Sequence, residues 1–122
     1  MKLSSGIDLI EIGRFERLKP AILQRFMERV FTPSEMDSIH GSLASAAGRF
    51  AAKEAVAKAL GCGIGVVRWQ DIEVGEGDCG QPLLHLHGRA LEIAQEKGFT
   101  SWSISISHTA QYATAIAIAH GA

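Results

Sequence analysis

The run GRFAAKEAVAKALG, from Gly48 to Gly61, constrains the fold more than any other stretch of the chain. It is rich in alanine, the strongest helix former. Gly61 suits a left-handed helix stop. A helix is predicted from about Leu43 to Leu60. Most of its surface is small and apolar, as expected of a helix buried on nearly every side. Such a helix needs closely fitting neighbours, and the two runs that close the chain can provide them. SWSISISH and YATAIAIA alternate with the period of strands and are separated only by Thr109, Ala110 and Gln111, a hairpin signal. In the first, Trp102, Ile104, Ile106 and His108 share one face and Ser103, Ser105 and Ser107 the other. In the second, Ala113, Ala115, Ala117 and Ala119 oppose Tyr112, Thr114, Ile116 and Ile118. Aligned small faces would let the alanine-rich helix approach closely.

The charges on that helix raise a chemical question. With Phe50 set at zero, Leu43, Ala47 and Ala51 fall at about 20°, 60° and 100° around the axis. Glu54 falls at about 40°, inside this apolar arc, and Lys58 at about 80°, at its edge. Arg49 and Lys53 lie to the other side. Glu followed four residues later by Lys is the favoured helical ion pair, and a surface pair is one reading. A buried carboxylate is costly unless paired, protonated or bound to a cation. The second reading is therefore a metal or phosphate site, which needs another acidic group. Asp8 supplies one. It interrupts the strand run LSSGIDLI just after Gly6, where acidic residues are depleted. Strand capping and solvent exposure are its plainer explanations. Two carboxylates suit a hard cation such as Mg²⁺, which also takes phosphate oxygens and waters.

The remaining elements set the fold class. Leu3–Ile10 reads as a strand. Ile12–Leu18 and Pro20–Val30 read as helical pieces split by Pro20. FTPSEMDSIHG reads as a short helix with Thr32 as N-cap, Pro33 first and Glu35 completing a capping box, stopped by Gly41. Asp71–Val74 and Pro82–His87 read as strands around a Gly/Asp turn, and Gly88–Lys97 as a helix stopped by Gly98. Hairpins mixed with helices predict an α+β fold. A length of 122 residues suits a single domain over 1–122.

Formal net charge is −1, which gives no electrostatic case for nucleic-acid binding. No apolar run is long enough to span a bilayer, and no secretory leader is expected. Cys62 and Cys79 form neither a metal spacing nor a disulfide framework, pointing to a reducing cytoplasm. His85 and His87 share a strand face, but no third metal ligand accompanies them.

Gly6-Ile7-Asp8, GRFAAKEAVAKALG, the glycine-rich connector after it, Gly80-Gln81-Pro82 and SISISHTAQYATA together resemble the holo-[acyl-carrier-protein] synthases, the stand-alone 4'-phosphopantetheinyl transferases. The likeness runs from Ile7 to Ile118. It implies that family's α+β fold, with an antiparallel sheet packed on a long central helix, and a homotrimer with active sites between subunits. It implies Mg²⁺-dependent transfer of the 4'-phosphopantetheine arm of coenzyme A to a serine of apo acyl carrier protein, releasing adenosine 3',5'-bisphosphate. By motif match, Asp8 and Glu54 would hold the metal, and Glu54, Lys58 and His108 would act in catalysis. Lys58, His108 and Thr109 would bind coenzyme A, Gly80 and Pro82 would shape its site, and Arg49 would contribute from a neighbouring subunit. The serine's base would be Glu54 or a metal-bound water that it orients. The basic run from Ile12 to Phe31, with Arg14, Arg17 and Arg25, would dock the acidic carrier protein. A non-catalytic carrier-binding module of the same fold and a Mg²⁺-dependent nucleotide pyrophosphatase are the alternatives.

Overall fold

Local signals in the chain become elements at nearly the places they mark. The structure, a computed structural model, describes residues Met1 to Ala122. In chain order it contains β1 (Lys2–Glu11), the helical turn α1 (Gly13–Glu16), α2 (Pro20–Val30), α3 (Pro33–Ile39) and α4 (Leu43–Leu60). A 3₁₀ turn (Trp69–Asp71), β2 (Ile72–Glu76), β3 (Pro82–Leu86), α5 (Gly88–Glu96), β4 (Ser101–His108) and β5 (Tyr112–Gly121) follow. Pro20 and Pro33 open their helices, where the missing N–H costs nothing. The capping box closes as expected: Thr32 Oγ1 accepts from the Glu35 amide, and the Glu35 carboxylate accepts from the Thr32 amide at 2.9 Å. The stop of α3 comes one residue early. His40 itself adopts the left-handed conformation, at φ 50°, and Gly41 continues that turn. Ser42 caps α4, and Gly61 ends it at φ 76°, where glycine carries no Cβ penalty.

The strands form a three-stranded antiparallel sheet in the order β1-β5-β4 and a separate β2-β3 hairpin. In the larger sheet, Trp102, Ile104 and Ile106 pair with Ala119, Ala117 and Ala115. The bulky face of β4 thus aligns with the small face of β5, and the small faces do not coincide. The reason is volume. The alanines of the middle strand, at most 2% exposed, leave room for α4. Ile104 and Ile106 of the edge strand pack against the same core, and the serines face solvent.

Gly6 completes this close approach. It pairs with Ala117 on the helix-facing side, and a Cβ there would fall on the Ala55 carbonyl of α4. The next inward residue of β1 is Asp8, opposite Ala115. The outward face is apolar and open, with Leu3, Ile7 and Leu9 of β1 beside Ile116 and Ile118 of β5 all exposed. On the other side of α4, Phe15, Phe26, Phe50 and Trp69 form a chain of aromatic contacts with centroids 4.9–5.8 Å apart. These contacts seat α1 and α2. No helix is long and apolar enough to cross a membrane.

Candidate active site

Where β1 crosses α4 at Gly6, three of the expected site residues meet. Lys58 donates from Nζ to the Ile7 carbonyl at 2.8 Å and to Asp8 Oδ1 at 3.3 Å. It therefore reaches across to the strand rather than back along the helix to Glu54, and the plain helical ion pair does not form. Asp8 faces the helix, with 21% of its side chain exposed, so it is neither a strand cap nor a solvent-facing residue. Glu54 is half-buried beside it. Its carboxyl is pushed above the usual range, first by burial and then by the negative charge of Asp8, while Lys58 and Arg14 pull the other way. Burial and like charge together mark a pair of carboxylates whose repulsion is not fully answered within the chain. A hard divalent cation fits this oxygen donor set. No group of three or more His, Cys, Asp and Glu side chains is placed for a metal. Two carboxylates would leave most positions of a Mg²⁺ ion to waters and phosphate oxygens.

A cleft of about 310 Å³ gathers a second set of expected residues: Arg49, Gly80, Pro82 and His108. Ser45, Gly48 and Glu76 line it as well, and sequence reasoning did not single them out for the site. Ser45 was within reach of it, four residues before Arg49 on one helical face. The Arg49 guanidinium is buried and held inside its own chain. Nη2 donates to Glu76 at 3.0 Å, Nη1 to Ser45 Oγ at 2.6 Å and Nε to the Val74 carbonyl at 3.3 Å. His108 is exposed at the end of β4, as its place beside the hairpin turn predicts. It also borders a second cleft of about 580 Å³, shared with Thr109, Leu43 and Glu16. The Thr109 hydroxyl accepts from the Gln111 and Tyr112 amides and so fixes the turn that carries His108. Asp8, Glu54 and Lys58 line neither cleft. Arg14, Arg17 and Arg25 are exposed on α1, just after it and on α2, with Arg17 paired to Glu11 at 3.0 Å.

Two features fall outside the expected set. Lys53 is fully buried in an ion pair with Glu35, although the helical wheel placed it away from the apolar arc. The wheel misleads because α3 and β2 cover that side of α4 too. His87 Nε2 lies 3.0 Å from Glu73, and Thr32 donates to the same carboxylate at 2.6 Å. The Thr32 hydroxyl first, and His87 second, hold Glu73 below the usual carboxylate range. His87 thus has a carboxylate partner across the hairpin.

Comparison with known proteins gives one answer throughout. Residues 4–117 match the family model of the 4'-phosphopantetheinyl transferase superfamily. The chain is 44% identical over 121 residues to the holo-[acyl-carrier-protein] synthase of Natranaerobius thermophilus, covering 97% of each. It is 47% identical to that of Moorella thermoacetica, covering 95% of this chain and 92% of the relative. Among solved structures, the holo-[acyl-carrier-protein] synthase of Helicobacter pylori, in complex with coenzyme A, superposes with a TM-score of 0.86. That pair is 34% identical, and the match covers 95% of this chain and 99% of the other.

Proposed function

Because the chain belongs to the 4'-phosphopantetheinyl transferase superfamily, we infer that it is an enzyme acting on coenzyme A and an acyl carrier protein. It transfers the 4'-phosphopantetheine group from coenzyme A to a serine of the apo carrier protein. The serine oxygen bonds to the phosphorus that carries the pantetheine arm. The bond from that phosphorus to the bridging oxygen breaks, and adenosine 3',5'-bisphosphate leaves.

The meeting of Asp8, Glu54 and Lys58 at the Gly6 crossing carries this reading. Transfer of this kind needs positioning and charge neutralisation more than covalent help from the protein. Asp8 and Glu54 would hold Mg²⁺, which when bound would offset the negative charge that develops during the transfer. Lys58 adds a positive charge from the same side of α4 and orients phosphate oxygens. Glu54, or a metal-bound water that it orients, receives the serine proton. Arg49, Gly80, Pro82, His108 and Thr109 bind coenzyme A, with Arg49 and His108 facing its phosphates. The exposed Arg14, Arg17 and Arg25 dock the acidic carrier protein.

The chain forms one domain and works as a cytoplasmic homotrimer, with each site completed between subunits. Its role lies in fatty acid biosynthesis. The outward sheet face supports assembly: Leu3, Ile7 and Leu9, each 62–65% exposed, stand beside Ile116 and Ile118. A contiguous apolar patch of this kind marks an interaction surface. Mass spectrometry of an apo carrier protein incubated with coenzyme A and Mg²⁺ tests the reading. A gain of the phosphopantetheine mass, abolished by Glu54→Ala, is expected. No gain with several carrier proteins would overturn the transferase. Binding of those carriers without mass gain would mark a non-catalytic module instead.

A further inference from the structure

The buried ion pair between Lys53 and Glu35 lies outside both clefts, yet a continuous chain of bonds leads from it to the floor of one. The Lys53 ammonium donates to Glu35 Oε1 at 2.8 Å, to the Trp69 carbonyl at 3.0 Å and to the Ile72 carbonyl at 2.6 Å. Those three bonds use every donor it has. Glu35 Oε1 also accepts from the Thr32 amide, and Oε2 accepts from the Val74 amide at 2.9 Å. The carbonyl of the same Val74 accepts from Arg49 Nε, and Arg49 goes on to Glu76 and Ser45. Arg49, Val74, Glu76 and Ser45 all line the 310 Å³ cleft. Val74 is the hinge of this relay, held by Glu35 on its N–H and holding Arg49 through its carbonyl.

We propose that Glu35 and Lys53 are positioning residues for coenzyme A, setting the angle of the Arg49 guanidinium through the backbone of Val74, whose N–H and C=O lie in the two peptide groups on either side of its Cα. The inference rests on the reading of the cleft as the coenzyme site. A buried pair that served stability alone would need no link to a cleft residue. Here α3 contributes Glu35 and α4 contributes Lys53, and the backbone they hold, at the Ile72 carbonyl and the Val74 N–H, belongs to β2, which forms one wall of the cleft. A guanidinium presents its donors in a rigid fork, so a small rotation changes which phosphate oxygens it can meet.

A double-mutant cycle on coenzyme A affinity, measured by calorimetry on the whole chain, tests this. Glu35→Gln and Arg49→Lys are each expected to weaken binding by about tenfold. If Glu35 acts through Arg49, the double variant binds within about twofold of Arg49→Lys alone. The kcat at saturating coenzyme A should change far less for Glu35→Gln than its KM. Independent action would instead multiply the two penalties, and that result overturns the proposal. Unchanged affinity in Glu35→Gln overturns it as well. If the wild type does not bind coenzyme A at all, the functional reading fails and this proposal with it; wild-type binding with multiplied penalties sinks this proposal alone. Should Glu35→Gln not fold, hydrogen exchange in the wild-type chain decides. The Thr32 amide, bonded to Glu35 and not itself part of the cleft lining, should exchange several-fold more slowly with coenzyme A bound, because coupling is reciprocal. An unchanged rate at Thr32 overturns the proposal.

Discussion

Lys53 and Glu54 follow one another on α4, turned about 100° apart, and their charges are answered in opposite ways. Around Lys53 the account is closed. All three ammonium donors have partners, and burial lowers its pKa while Glu35 opposes that shift. Around Glu54 it is open. Burial and Asp8 drive its carboxyl toward protonation, and Lys58, shared between Asp8 and the Ile7 carbonyl, compensates only in part. A closed set of charges has nothing left to offer a ligand directly and acts only through the groups that it holds in place. An open set, held together by the fold against its own repulsion, is a place where a cation lowers the free energy. On the proposed function, the difference separates charges that position from charges that react on one helix.

The comparison can be broken by removing one charge on each side. The largest expected effect is on catalysis. Asp8→Asn or Glu54→Ala should lower kcat by about 10⁴-fold, roughly 5 kcal/mol of transition-state stabilisation. Unfolding midpoints should stay near the wild type; a large loss of stability would mean that the open site is also structural. Next comes Lys53→Met, which leaves Glu35 buried without its countercharge. It should cost about 3–5 kcal/mol in denaturant unfolding. A loss near zero would mean that the pair is not closed as described.

Gly6→Ala sharpens the comparison by moving the two carriers of the open site apart. The added methyl meets the Ala55 carbonyl, so β1 must shift from α4. The expected stability loss is about 1–3 kcal/mol, with weaker Mg²⁺ binding by calorimetry, whereas the Lys53–Glu35 pair should be untouched. The smallest effect is on the open site itself. The folded pKa of Glu54 lies above its ordinary value of 4.5. Its contribution to stability is therefore full below that value, where the group is protonated folded or unfolded, and is lost as pH rises through the folded pKa. Glu54→Gln should then raise the metal-free melting temperature by about 2 °C at pH 7.5, since solvent screens a half-buried group, and change nothing at pH 4. Saturating Mg²⁺, which binds only the folded wild type at this site, should cancel the gain. A variant less stable than the wild type at pH 7.5 without metal would refute the repulsion.

What the sequence made legible was local. The span of α4 follows from alanine content and Gly61, and the capping box at Thr32 lies within four residues. The open site was legible for the same reason: an acidic residue inside a strand and another in an apolar helical arc are each visible without a partner. The closed network was not. Whether Lys53 points to water depends on α3 and β2, which reach that side of the helix only after the chain has folded back. Capping chemistry had already assigned Glu35 a local role, and its second role needed Val74, 39 residues away. The face pairing of β4 and β5 was hidden because both strands alternate cleanly, and alternation alone does not say which faces coincide.

The central claim is that Asp8 and Glu54 share one divalent cation. Crystals grown with coenzyme A and Mn²⁺ in place of Mg²⁺, measured at the manganese absorption edge, test it most directly. The account predicts one anomalous peak bridging the two carboxylates, with pyrophosphate oxygens completing its shell. A peak elsewhere with coenzyme A bound, or a metal held by only one of the two side chains, would contradict it.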